Sequence, residues 1–203
     1  MKLIAQGAEA EIFSRDDSII KKRIKKDYRI KEIDIPLRKF RTKRETKVIE
    51  KLLSLGLCAP SVKNIDLGNM NLEMDYIKGI KARDKLNNSN FDKLCKEIGR
   101  YVGVMHSNGI IHGDLTTSNM IFCNKDKKIY FIDFGLSFFS VKVEDMAVDI
   151  HLFRQALESK HNQIWEKAFK SFLQGYKSKA CRYSEIMKRF EAVESRGRNK
   201  GKS

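Results

Sequence analysis

The chain of 203 residues is poor in proline and has no long apolar run, and each shortage excludes something. With two prolines and 12 glycines it is neither collagen-like nor a Pro/Gly-rich disordered polymer. Its apolar runs stop after a handful of residues, far short of the ~20 that a membrane-spanning helix needs. The cysteines, Cys58, Cys95, Cys123 and Cys181, stand far apart, with no C-x-x-C pair and no secretory leader ahead of them. Neither a zinc cage nor a secreted disulfide framework is expected, and the expected compartment is the reducing cytoplasm with no membrane contact. The length suffices for one substantial core or two small lobes, not for several independent domains.

Positive charge, by contrast, is abundant. Lys and Arg number 41 against 26 Asp and Glu, a net +15, which points to an acidic partner such as nucleic acid, phosphates or an acidic protein surface. The excess is local. Residues 21–51 hold 14 basic and 5 acidic residues, and residues 176–203 hold 9 and 3, while the rest of the chain balances. The plainer reading of such runs is a solvated Lys-rich helix face.

Hydropathy patterning divides the chain. Lys2–Ala5, Glu11–Arg15 and Ser18–Ile24 are short, β-branched and separated by turn residues such as Asp16-Asp17, which predicts a small antiparallel sheet. A helix over Arg38–Leu55 follows, then two strands, Val62–Leu67 and Met70–Ile77, around Gly68-Asn69. Residues 78–90 read as a linker. From Phe91 the apolar residues Leu94, Cys95, Ile98, Val102 and Met105 recur at helical spacing, until Gly109. Two short strands, Met120–Cys123 and Ile129–Ile132, precede a helical remainder, and the tail 195–203 has nothing apolar to bury and reads as mobile. The expected organisation is one domain: an N-terminal lobe over 1–77, a linker, a C-terminal lobe over 91–194 and a basic tail.

The chemistry concentrates in His112-Gly113-Asp114-Leu115-Thr116-Thr117-Ser118-Asn119 and in Asp133-Phe134-Gly135. A loop Asp, an Asn five residues later and a second Asp after the next strand pair can supply a base for a hydroxyl and hard oxygen ligands for Mg²⁺. This spacing resembles the protein-kinase-like superfamily, with its H-x-D-x-x-x-x-N loop and D-F-G motif. The resemblance implies an α+β, minimal bilobal kinase-like fold that binds ATP and Mg²⁺. It makes Asp114 the catalytic base, Asn119 a nucleotide and metal ligand beside Asp133, and His112 a support for the loop. The stretch in the Gly-rich-loop place is Ile4-Ala5-Gln6-Gly7-Ala8-Glu9-Ala10-Glu11-Ile12. It keeps only Gly7, and Glu9 would bring negative charge towards the phosphates.

In Ile19-Ile20-Lys21-Lys22-Arg23, Lys21 fits the place of the phosphate-pairing lysine, and Lys22 faces the other way if this is a strand. Glu45 shares a helix face with Val48, Ile49 and Leu52, so it needs a cation: Lys21, or in the alternative a surface pair with Arg41 or Lys47. Adenine-recognising hinge residues would be Met74, Asp75, Tyr76 and Ile77.

Departures narrow the resemblance. No A-P-E segment follows Asp133-Phe134-Gly135, so the activation segment is absent or vestigial; Gly113 replaces the usual Arg, and Thr116 the usual Lys. With Gln6-Gly7-Ala8-Glu9-Ala10, Tyr28-Arg29 and the Ser195-Arg196-Gly197-Arg198 tail, the chain resembles the family of small atypical kinase/ATPase subunits of the KEOPS complex. That resemblance implies Ser/Thr kinase or ATPase activity and a threonylcarbamoyl-transferase subunit and other KEOPS subunits as partners. It also implies support of threonylcarbamoyladenosine formation on tRNA, whose phosphates could be tracked by residues 21–51 and by Arg196, Arg198, Lys200 and Lys202. The competing readings are a RIO-like ribosome-assembly kinase, a small-molecule kinase of the aminoglycoside or choline type, and a pseudokinase scaffold.

Overall fold

Short strand segments joined by a three-residue and a two-residue turn begin the structure. The computed structural model describes the backbone of residues 1–199 and the side chains through Arg196. Strands β1 (Lys2–Gln6), β2 (Ala10–Arg15) and β3 (Ser18–Arg23) run antiparallel, and the β2–β3 turn is closed by Asp16 at φ 52°. After helix α1 (Lys31–Ser54), the hairpin of β4 (Val62–Asp66) and β5 (Asn71–Asp75) completes a five-stranded sheet in the order β1-β2-β3-β5-β4. Helix α1 contacts β4 and β5, burying Val48, Ile49 and Leu52, while Leu72 and Met74 are buried from β5. These elements, with residues 130–136, form one compact unit.

Helix α1 begins seven residues before the expected Arg38 and carries Pro36 inside it. Apolar spacing could not reveal this, because the first turns are organised by a buried carboxylate. Asp34 accepts a hydrogen bond from Arg38 Nε at 2.6 Å. Burial alone would raise the Asp34 pKa, but the Arg38 hydrogen bond and charge outweigh it and hold the carboxyl below its usual range.

The second unit comprises residues 79–129 and 137 onward. The stretch read as a linker is structured: β6 (Gly79–Lys81) leads into a single helical turn, α2 (Ala82–Lys85). Helix α3 (Phe91–Ser107), strand β7 (Ile110–Ile111), a 3₁₀ turn (Thr117–Asn119), β8 (Met120–Cys123) and β9 (Ile129–Phe131) follow. Strand β6 pairs antiparallel with β8, and β9 carries the chain back into the first unit. After the first unit's segment, β10 (Phe138–Phe139) pairs with β7, and α4 (Val143–Lys160), α5 (Trp165–Lys177) and α6 (Tyr183–Asn199) complete the fold. Only residues 136–142 separate Gly135 from α4, so no long segment intervenes.

The core of this unit joins α3, α4 and α5 through Ile98, Met105, Phe153, Phe172 and Tyr176, all fully buried. Residues 195–199, expected as a mobile tail, continue α6. That helix is tied to α4 by Glu194 on His151 and Arg154, and by Arg189 and Arg196 on Glu144. The side chain of Arg198 and residues Lys200 and Lys202 lie outside the described residues. The four cysteines form no disulfide, and among the described residues no helix is long and apolar enough to cross a membrane.

Candidate active site

The residues singled out from the sequence fall into two sets, one in each unit. In the first unit the alternation of β3 sends Lys21 inward and leaves Lys22 in solvent. Lys21 Nζ donates to Glu45 Oε1 and to Asp133 Oδ1, each at 2.6 Å, while Glu45 Oε2 accepts from Arg23 Nη2 at 2.5 Å. Glu45 is 1% exposed, so its charge depends on these cations. Its partners are Lys21 and Arg23 rather than the surface alternatives; Arg41 is engaged elsewhere. Burial opposes the ammonium of Lys21, but Glu45 and then Asp133 outweigh it, so its pKa is raised and the group stays charged.

Asp133 sits at the end of the β9 segment in the left-handed region, φ 62°, a conformation that Asp tolerates better than bulkier residues. Its side chain is 52% exposed, so a carboxylate already held by Lys21 also faces outward.

The loop Ile4–Ile12 spans the end of β1, a turn and the start of β2. Gly7 N donates to Ala10 O at 2.9 Å, closing the turn, and Gln6 and Ala5 pair with Glu11 and Ile12. The negative charge expected to point at the phosphates is instead committed to the protein. Glu9 accepts from Arg41 at 2.7 Å and from Arg29 at 3.5 Å, and Lys26 Nζ donates to Ala8 O. Of the expected hinge residues, Met74 is buried on β5, Asp75 pairs with Lys63 at 3.2 Å, Tyr76 N donates to Asp17 O at 3.1 Å, and Ile77 follows half-buried.

In the second unit the loop 112–119 is built around two carboxylates. Asn119 Nδ2 donates to Asp114 Oδ2 at 2.7 Å and to Asp114 O at 2.9 Å, so the amide oxygen is the atom left to act as a hard ligand. His112 is fully buried, and its Nδ1 accepts the Asp114 amide at 3.3 Å, a support for the loop. Sequence reasoning missed Asp149. From α4 its Oδ2 accepts the His112 amide at 2.8 Å and its Oδ1 the Gly113 amide at 2.9 Å, with His106 Nε2 3.2 Å from Oδ2. His106 Nδ1 in turn meets Tyr176 Oη at 2.8 Å. Gly113 adopts φ 78°, which a side chain would strain, a reason for glycine here beyond the loss of an Arg partner. No spacing rule links Asp149 to this loop, because its partners are backbone amides. Arg23 was also missed, although its signal, two positions beyond Lys21 on one strand face, was present.

Comparison with known proteins identifies the family and the fold. Residues 9–148 match the RIO domain family. The KEOPS complex subunit Bud32 of Pyrococcus abyssi is 41% identical over 100% of this chain and 98% of its own length. A probable bifunctional tRNA threonylcarbamoyladenosine biosynthesis protein of Methanocaldococcus jannaschii is 42% identical over 97% of this chain but only 36% of its own length. A solved Rio2 kinase, in an ADP/Mg²⁺-phosphoaspartate complex from Chaetomium thermophilum, superposes with a TM-score of 0.62 over 98% of this chain and 72% of its own, at 13% identity. The α+β fold is therefore the small bilobal kinase-like one, and the chain belongs to the RIO domain family, within the group of the KEOPS subunit Bud32.

Proposed function

We propose that the chain is an ATP- and Mg²⁺-dependent atypical Ser/Thr kinase/ATPase that serves as a KEOPS subunit in threonylcarbamoyladenosine modification of tRNA. The observation that carries the chemistry is Lys21 bridging Glu45 and Asp133: a charged ammonium held in place by one buried and one outward carboxylate. Phosphoryl transfer asks a protein for positioning and charge neutralisation, and this pairing offers both.

The donor set fits the cofactors. Asp133 and the Asn119 amide oxygen are hard oxygen ligands of the kind Mg²⁺ takes, and Lys21 suits a phosphate oxygen. When bound, Mg·ATP supplies the phosphoryl group and neutralises part of its own charge. The protein's residues do the rest. Lys21 offsets phosphate charge, Glu45 fixes Lys21, and Asp114, fixed by Asn119, accepts the proton of the attacking hydroxyl or water. Asp149 holds the Asp114 loop through two amides. The loop over Ile4–Ile12 would hold the phosphates and the strand end at Met74–Ile77 the adenine. The assembly role rests on the names of the relatives, and the partners would be the threonylcarbamoyl-transferase subunit and other KEOPS subunits in the cytoplasm.

The test is single-turnover and steady-state Mg·ATP hydrolysis by the parent and by Asp133→Ala and Lys21→Ala. Each substitution should lower turnover at least about 100-fold, the scale on which positioned charges act. Turnover at the parent's rate in Asp133→Ala would refute the site. Copurification from a native extract tests the assembly: a threonylcarbamoyl-transferase subunit is expected, and a ribosomal particle would favour the ribosome-assembly reading.

A further inference from the structure

Glu45 has two cations where the proposed chemistry uses one. Lys21 Nζ holds Oε1 at 2.6 Å and Arg23 Nη2 holds Oε2 at 2.5 Å, and all three side chains are buried. Residues 21 and 23 lie two apart on β3, so both project from one face towards the carboxylate on α1. A Cβ on Gly135 would stand 3.4 Å from Lys21 Nζ and 3.5 Å from Arg23 Nη2, so both cations also abut the Asp133 turn.

The two cations are unequally committed. Lys21 already divides itself between Glu45 and Asp133, and on the reading above it also serves phosphates. A carboxylate as buried as Glu45 needs a cation in every state of the site. A guanidinium is always charged and weakly hydrated, which suits a permanent buried pair, whereas an ammonium is a compact charge that can change partners. Arg23 also repels the Lys21 charge, against the pull of the carboxylates.

We propose that Arg23 is a positioning residue for phosphoryl transfer: it keeps Glu45, and with it the β3-facing side of α1, in place whichever partner Lys21 holds. The inference rests on the reading of Lys21 as the phosphate-pairing lysine. Helix α1 then needs no regulatory event to bring it in, which accords with a chain that has only residues 136–142 between Gly135 and α4 and Gly113 beside Asp114.

The test joins Mg·ATP kinetics to amide hydrogen exchange along residues 42–52 in the full chain. Lys21→Met should abolish turnover yet leave α1 exchange within about twofold of the parent, since Arg23 still satisfies Glu45. Arg23→Met should speed that exchange at least about tenfold and lower kcat by a similar factor with KM for ATP less affected. Arg23→Lys should recover most of both. Parental kcat and exchange in Arg23→Met would overturn the inference, as would equal loosening of α1 by Lys21→Met and Arg23→Met, or no recovery in Arg23→Lys. Should Arg23→Met not fold, Arg23→Gln against Arg23→Lys makes the same comparison. A parent without Mg·ATP turnover would strike the reading of the site, and the exchange measurements would still decide on Arg23.

Discussion

Asp149 concentrates more structure in one side chain than any residue the sequence patterns single out. Its carboxylate satisfies two backbone amides and His106 while wholly buried. Burial alone would raise its pKa, but the hydrogen bond and charge of His106, and then His112, outweigh it and hold the carboxyl below its usual range. A depressed folded-state pKa contributes stability above the unfolded value, 3.8, that is lost as pH falls through the folded value. Asp149→Asn leaves one acceptor oxygen for two backbone N–H groups, so it should cost about 1–3 kcal/mol at pH 7 and lose part of the parent's stability decline below about pH 4, measured by urea unfolding across pH. A parental midpoint at pH 7 would contradict this account. Glu9 makes a second residue-scale case. If it faced the phosphates, removing its charge would tighten ATP binding; held by Arg41 and Arg29, it instead fixes the loop, so Glu9→Gln should raise KM for ATP about threefold with kcat little changed. A lowered KM would restore the repulsive reading.

At the scale of elements, α3 and α5 pack so closely that backbone meets backbone. A Cβ on Gly99 would lie 2.0 Å from Phe172 O, and one on Gly175 2.0 Å from Lys96 O. Gly99→Ala would gain about 1 kcal/mol in helix propensity, yet a carbonyl in a packed helix cannot swing aside as a side-chain tip can. The two helices must separate, and Gly99→Ala or Gly175→Ala should lower stability by about 2 kcal/mol, read as a shift of the urea midpoint. Neither glycine stood out beforehand, since each falls in an ordinary helical pattern. The same contrast separates what was legible from what was not. Residues 112–119 and 133–135 are contiguous pieces of chemistry, so their spacing survives in the sequence. The Lys21–Glu45 pair could be anticipated because an inward carboxylate demands a cation. Asp149 and Arg23 act through long-range contacts and look like ordinary charges on a helix and in a basic run. The start of α1 is fixed by buried Asp34 rather than by apolar spacing, and the β6–α2 stretch is too short to leave a period.

For the molecule as a whole, the structure divides most of the positive charge of residues 21–51 by residue type. In 21–51 four of the five arginines pair with carboxylates: Arg23 with Glu45, Arg29 and Arg41 with Glu9, Arg38 with Asp34. Lys21 apart, the lysines supply the outer surface, and Lys39, Lys43, Lys47 and Lys51 are all exposed at intervals of four on α1. At 1.5 Å per residue they make a stripe about 18 Å long, and an intact helix keeps them on one side. The formal charge of this segment therefore overstates what a nucleic acid would meet, because part of it neutralises buried carboxylates. In the last helix Arg196 is likewise spent in part on Glu144. If the proposed tRNA interface runs along α1, it is made by the lysines. Changing Lys39, Lys43, Lys47 and Lys51 together to Gln should weaken tRNA binding and flatten the dependence of log affinity on log salt by up to about 0.9 for each phosphate that is no longer neutralised. The fold should hold, since none of the four is buried, and circular dichroism melts should match the parent. An unchanged salt slope in the quadruple variant would remove α1 from the tRNA interface and leave the C-terminal basic stretch to account for it.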